Sequence, residues 1–143
     1  LCVWAHRPLG EIYASNVALR AAVFDTISGR PNDWNSRSQA IALSMKAGID
    51  RMLAQDLLDD PRILHLPFRE LAADPLATVR KVYDRAGLEV TPDFAGRVQA
   101  WLDAPENRVD RYGRYPYSYE PLGLSREWIE ELFADYSRRF GLD

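Results

Sequence analysis

The stretch LCVWAHRPLGEIYASNVALRAAVF, residues 1–24, decides the fold. Residues 1–6 make a short apolar run with the length and content of a buried strand. Pro8 and Gly10 punctuate a turn, and Ile12, Val17, Leu19, Val23 and Phe24 then recur at roughly helical spacing. Strand, turn and helix are therefore predicted in that order. Gly29 and Pro31 stop the helix, and Asn32 or Asp33 caps a second one running from Trp34 to about Leu58. Its apolar stripe is Ile41, Met45, Ile49, Met52 and Leu53, so core packing accounts for both methionines.

After the turn at Asp60-Pro61, RILHLPF (62–68) has the content of a second buried strand, and Pro67 marks where it closes. Two strands, each followed by helices, predict an α/β layer arrangement with the strands parallel, because helical crossovers lay strands side by side. Two strands are too few for a free-standing sheet. The chain also opens inside an apolar run, at Leu1 and not at a methionine. The expectation is a piece of a longer protein, helix-rich, whose remaining strands lie elsewhere in that protein.

Further along, Asp74-Pro75 is a helix start: Asp accepts backbone N–H bonds as N-cap, and Pro at the first helical position gives up a donor that had no partner. That helix, LATVRKVYDRA, stops at Gly87. Thr91-Pro92 repeats the signal for a helix through Leu102. Residues 103–123, rich in Pro, Gly, Tyr and Arg, predict a long ordered loop. Ser125 caps a last helix, REWIEELFADYSRRF, with Trp128, Leu132, Phe133 and Tyr136 on one face and Gly141 at its end.

With 143 residues, 47% of them hydrophobic, the chain is long enough to bury a core. A net charge of −3, from 18 basic and 21 acidic residues, lacks the basic footprint of a nucleic-acid binder or a polybasic membrane surface. The expected partner is a small molecule or another protein. Cys2 has no partner for an internal disulfide, and the two histidines, His6 and His65, do not make a metal set, so no metal is expected. No apolar run reaches the roughly 18–20 residues that span a bilayer, and LCVW lacks the flank of a signal peptide. The location expected is cytoplasmic.

Two clusters carry chemistry. Arg7 stands at the carboxyl end of the first strand, and Ser15 lies eight residues on, inside the helix. Ligands of open α/β sheets collect at the carboxyl ends of strands, where helix N-termini present donors, a guanidinium clamps phosphate and a hydroxyl adds one bond. The alternative for the same residues is an Arg7–Glu11 pair and a serine bonded back into its own helix. The second cluster is Arg111-Tyr112-Gly113-Arg114-Tyr115-Pro116-Tyr117-Ser118, preceded by Arg108. Rings and guanidiniums so interleaved can fold over an anionic nucleotide; equally, the tyrosines can pack on the last helix while the arginines meet solvent.

In this order of motifs the chain resembles the sulfotransferase superfamily, its bacterial branch above all. The Arg and Ser spacing is similar to the family's 3'-phosphate pair, which implies that role for Arg7 and Ser15. FRELAADPLATVRKVYDRAGLEVTP resembles the "Y-E-D-L-x-x-D-P" segment and its following helix, and ELFADYSRRFGL resembles the family's last helix. Residues 113–118 resemble the basic, glycine-bearing loop that also reaches the 3'-phosphate, which implies Arg111, Gly113 and Arg114 as further contacts. Phe68 stands where the family commonly has a tyrosine near the adenine. Two more departures are Pro8-Leu9 after Arg7, where Asp-Pro is frequent, and Tyr115-Pro116, where bacterial relatives often carry His-Arg.

The resemblance implies residues 1–143 as the C-terminal part of one P-loop-like domain. It implies 3'-phosphoadenosine-5'-phosphosulfate as sulfonate donor and a hydroxyl or amine of a small molecule as acceptor. The loop that holds the 5'-phosphosulfate and the catalytic base are not found in these residues, so no catalytic residue is assigned and the piece alone is expected to be inactive. His6 is set aside as a base, because a histidine beside the phosphate-binding Arg more often packs at the strand end. Two other classes stay open: a P-loop-type nucleotide kinase piece with the same arginines on a phosphoryl group, and a non-enzymatic domain meeting a protein through its Tyr and Arg loop.

Overall fold

The computed structural model describes residues 1–108 and 117–142. They fall into two compact units, one of residues 1–6 and 61–108, the other of residues 7–60 and 117–142.

In the first unit β1 (Cys2–His6) and β2 (Ile63–Pro67) pair in parallel, Cys2 opposite Ile63 and His6 opposite Pro67. Side chains alternate along a strand, so Val3, Ala5 and Leu66 share one face while Trp4, His6 and His65 share the other. On the first face, side chains of α3 (Phe68–Ala73) and α4 (Pro75–Arg85) close an apolar cavity of about 180 Å³ with Val3, Ala5 and Leu66. The next helix, α5 (Pro92–Asp103), meets α4 through Tyr83 and Phe94, whose rings stack with centroids 5.0 Å apart. Both helix starts are built as the local chemistry dictates. Asp74 Oδ1 accepts the Ala77 N–H at 2.9 Å, and Thr91 Oγ1 accepts that of Phe94 at 3.2 Å.

Phe68 is a correction. It opens α3 and does not end the strand. Pro67 has no N–H to extend the ladder and takes extended angles (φ −62°, ψ 126°), after which Phe-Arg-Glu-Leu-Ala-Ala turns helical.

The second unit holds the hydrophobic core. It contains α1 (Leu9–Ser28), α2 (Trp34–Leu53), α6 (Arg126–Leu132) and α7 (Ala134–Phe140). Tyr13 and Val17 of α1, Ala42 of α2, Ile129 of α6 and Phe133 are almost fully buried together. Buried polar groups are tied in: the Tyr13 hydroxyl donates to the Ser38 carbonyl, and Ser38 Oγ donates to the Leu122 carbonyl at 2.6 Å. Both methionines pack against this core, as expected.

Four boundaries differ from expectation. Helix α1 already begins at Leu9, with Pro8 as N-cap, so Gly10 lies in the first turn and not in a bend before it. A Cβ at Gly10 would meet the side chain of Glu130 from α6, so this glycine leaves room for that side chain. Helix α2, capped by Asp33 through the Ser36 N–H at 3.2 Å, ends at Leu53, because Gln55 turns extended before a 3₁₀ turn at Asp56–Asp59. The last helix is two, since the backbone leaves helical values at the buried Phe133 (φ −110°, ψ 18°). The loop after α5 holds 3₁₀ turns at Pro105–Asn107 and Glu120–Leu122, and the ordering expected of residues 109–116 lies outside the described residues. Of the apolar spacing in α1, Ile12 and Val17 reach the core, while Leu19, Val23 and Phe24 stay exposed.

No helix among the described residues is long and apolar enough to cross a membrane.

Candidate functional site

Arg7 is the first residue after β1, and α1 starts two residues later. No side chain caps that helix, whose N-cap is Pro8. Twenty residues of aligned peptide dipoles therefore end in a first turn where the Glu11 N–H donates to the Pro8 carbonyl at 3.0 Å, and the N–H groups of Leu9 and Gly10 have no partner within the helix. Beside that turn Arg7 Nη2 lies 3.5 Å from Glu11 Oε2, with both side chains more than two-fifths exposed. Ser15 follows Glu11 by one helical step of four, so the two share one face of α1, and Arg7, ahead of the helix, reaches that face through Glu11. The Ser15 hydroxyl donates to the Ile12 carbonyl at 2.8 Å.

These contacts are weak enough to exchange. An exposed ion pair at this spacing contributes about 0.5 kcal/mol or less, whereas a charge-assisted bond from a guanidinium to an anion contributes about 1.5–3 kcal/mol. Ser15, while donating to Ile12, keeps its oxygen as an acceptor, and rotation would turn its hydrogen outward. Glu11 opposes an anion at the same turn.

The other residues singled out by sequence are placed differently. Phe68 belongs to the first unit, at the N-terminus of α3, and lines the apolar cavity with Leu71, Val79 and Val82. Arg111, Gly113 and Arg114 lie outside the described residues. Arg108 is described and exposed, its N–H bonded to the Pro105 carbonyl.

His6, next to Arg7 in the chain, is 1% exposed. Its Nε2 is 2.8 Å from His65 Nδ1, the two rings stack at 5.0 Å, and Trp4 stacks on His6 at 5.4 Å. Burial, and secondarily the neighbouring His65, push the His6 imidazole down to about 4. It is neutral at physiological pH. Sequence reading missed this cluster; the alternation Trp4, His6 was visible, but the strand register that brings His65 beside them was not. Among the described residues no three His, Cys, Asp or Glu side chains gather as a metal set.

Arg7 thus follows a strand in the chain and precedes a helix whose N-cap residue offers no side-chain bond, in a P-loop-like α/β fold. The chain belongs to the sulfotransferase family, whose family model matches residues 1–93, a span containing Arg7, Ser15 and Phe68. In fold it is similar to a sulfotransferase from Mycobacterium avium, STF9, with a TM-score of 0.75 and 23% identity. That likeness covers 99% of this chain and 36% of the other, so the chain spans little more than a third of that protein. No curated protein sequence matches it.

Proposed function

We propose that this chain carries the 3'-phosphate half of a site for 3'-phosphoadenosine-5'-phosphosulfate, in an enzyme that moves the sulfonate to a hydroxyl or amine of a small molecule. The observation that carries this reading is Arg7 beside the uncapped first turn of α1. A dianionic 3'-phosphate takes the guanidinium in place of Glu11, accepts from the N–H groups of Leu9 and Gly10, and gains a bond from Ser15. In this reading Phe68 offers a ring to the adenine, and Arg111, Gly113 and Arg114 add phosphate contacts. Residues 1–143 are then the C-terminal part of a single domain.

In the transfer, the bond from sulfur to the bridging phosphate oxygen breaks as a bond from sulfur to the acceptor atom forms. The nucleotide leaves as the 3',5'-bisphosphate, and a base takes the acceptor proton. The corner described here acts by binding and orienting the leaving group. No residue of this chain is assigned as the base, and residues 1–143 alone transfer no sulfonate in this account.

Calorimetric titration of the longest natural form with 3'-phosphoadenosine-5'-phosphate, against adenosine 5'-phosphate, tests the reading. Preference for the 3'-phosphorylated nucleotide supports it; equal binding, or no binding by a folded protein, contradicts it.

A further inference from the structure

A groove opens between the C-terminal half of α1 and the N-terminal half of α2, with a volume of about 470 Å³. Its apolar wall is Phe24, Trp34, Ile41 and Met45, and Arg20 and Arg37 stand in its lining. No carboxylate lines it. The rings of Phe24 and Trp34 are tilted by 47° with centroids 6.3 Å apart, and Arg37 Cζ is 6.0 Å from the Trp34 ring. The indole is held from behind, its Nε1 donating to Asp25 Oδ1 at 3.2 Å and Oδ2 at 3.3 Å. Asp25 also accepts from Asn32 and feels Arg37, as does Asp33, so some of the Arg37 field is met by these acids outside the groove. Arg20 gives its Nε to Asn16 at 2.9 Å, one of five guanidinium donors.

We propose that this groove is a second ligand site, for a flat aromatic small molecule that carries one anionic group. The size suits it, since small-molecule sites run from roughly 300 to 1,000 Å³ and pair an apolar lining with a few placed polar groups. Phe24 is 52% exposed beside a fixed indole, so a ring inserted there is removed from water at little ordering cost. Two guanidiniums without a lining acid select an anionic ligand over a neutral one. At 3.6 residues per turn, Arg20 and Phe24 lie on roughly the opposite side of α1 from Arg7, Glu11 and Ser15. The inference is therefore independent of the nucleotide reading.

The test is fluorescence titration with 1-anilinonaphthalene-8-sulfonate, set against N-phenyl-1-naphthylamine, which has the same rings and no charge. One saturable site is expected, with the sulfonate binding about tenfold or more tighter than the neutral dye. The double variant Arg20→Gln, Arg37→Gln removes that gap and leaves the neutral dye unchanged, while Phe24→Ala weakens both. All three side chains are exposed, so the substitutions leave the core intact. A shallower groove on α5, lined by Phe94, Arg97, Val98 and Trp101, has Arg97 already paired with Asp93 at 3.1 Å and supplies the control: Trp101→Ala changes nothing. Equal affinity for the two dyes, a gap that survives the double arginine variant, or binding lost with Trp101→Ala and kept with Phe24→Ala overturns the proposal.

Discussion

Nε2 of His6 stands 2.8 Å from Nδ1 of His65, so two imidazoles on adjacent parallel strands share a single hydrogen bond on one face of the first unit's sheet. One ring donates and the other must accept, which two imidazolium rings cannot do. The folded state holds His6 neutral down to about pH 4, whereas the unfolded imidazole takes its proton near 6.5. Between those values the unfolded chain binds more protons. Stability is thus flat above pH 6.5 and falls as pH drops toward 4, by at most about 1.4 kcal/mol per unit from this group. Urea unfolding at pH 7.5 and pH 5 measures it, and His6→Phe flattens the difference.

Glu11 and the bound phosphate compete for one guanidinium in the account given for Arg7. Glu11→Gln therefore tightens 3'-phosphoadenosine-5'-phosphate binding several-fold, by removing about 0.5–1 kcal/mol of repulsion. Calorimetry at low and high salt separates the charge effect, which shrinks as salt is added.

Gly10 sits in a helix, where alanine is ordinarily about 1 kcal/mol better. Here that gain is offset, because the new Cβ would displace the exposed Glu130 side chain from its place against the helix and from Arg126. Gly10→Ala is expected to destabilise by about 1 kcal/mol or less. Adding Glu130→Ala clears the space and restores the loss, as thermal unfolding of the single and double variants would show.

The buried Tyr13 hydroxyl donates to the Ser38 carbonyl, joining α1 to α2. Tyr13→Phe removes this bond while the Ser38 carbonyl keeps its helical one, and costs about 0.5–1.5 kcal/mol of stability. Nucleotide affinity is unchanged, since Tyr13 faces the core and not Arg7 and Ser15.

Local chemistry was the readable part. Asp33, Asp74, Thr91 and Ser125 announce helix starts because a capping bond spans three residues, and each makes it. Parallel pairing followed from the helices between the strands. What escaped depends on distant partners. Gly10 resembles a turn glycine until Glu130 is placed beside it, and Phe68 resembles a strand end until α3 is seen to begin there. The break at Phe133 belongs to a ring buried in the core, and the His6 partner to a strand register no spacing discloses. For the candidate site, the spacing offered a phosphate pair at Arg7 and Ser15 or, as the alternative, an Arg7–Glu11 pair and a Ser15 bond back into its own helix, and the latter two contacts are the ones the structure holds. The Arg20, Phe24, Trp34 and Arg37 groove was hidden because Phe24 counted among the apolar residues of a core-facing helix, yet it is half-exposed.

The most direct measurement is the affinity of 3'-phosphoadenosine-5'-phosphate relative to adenosine 5'-phosphate, by calorimetry on the longest natural form, in the native protein and in Arg7→Ala and Arg108→Ala. The account predicts a native preference of about tenfold or more for the 3'-phosphorylated nucleotide, corresponding to about 1.5–3 kcal/mol from the clamp. Arg7→Ala abolishes that preference and Arg108→Ala largely keeps it. Equal losses in the two variants, or a native protein that does not distinguish the nucleotides, would contradict it.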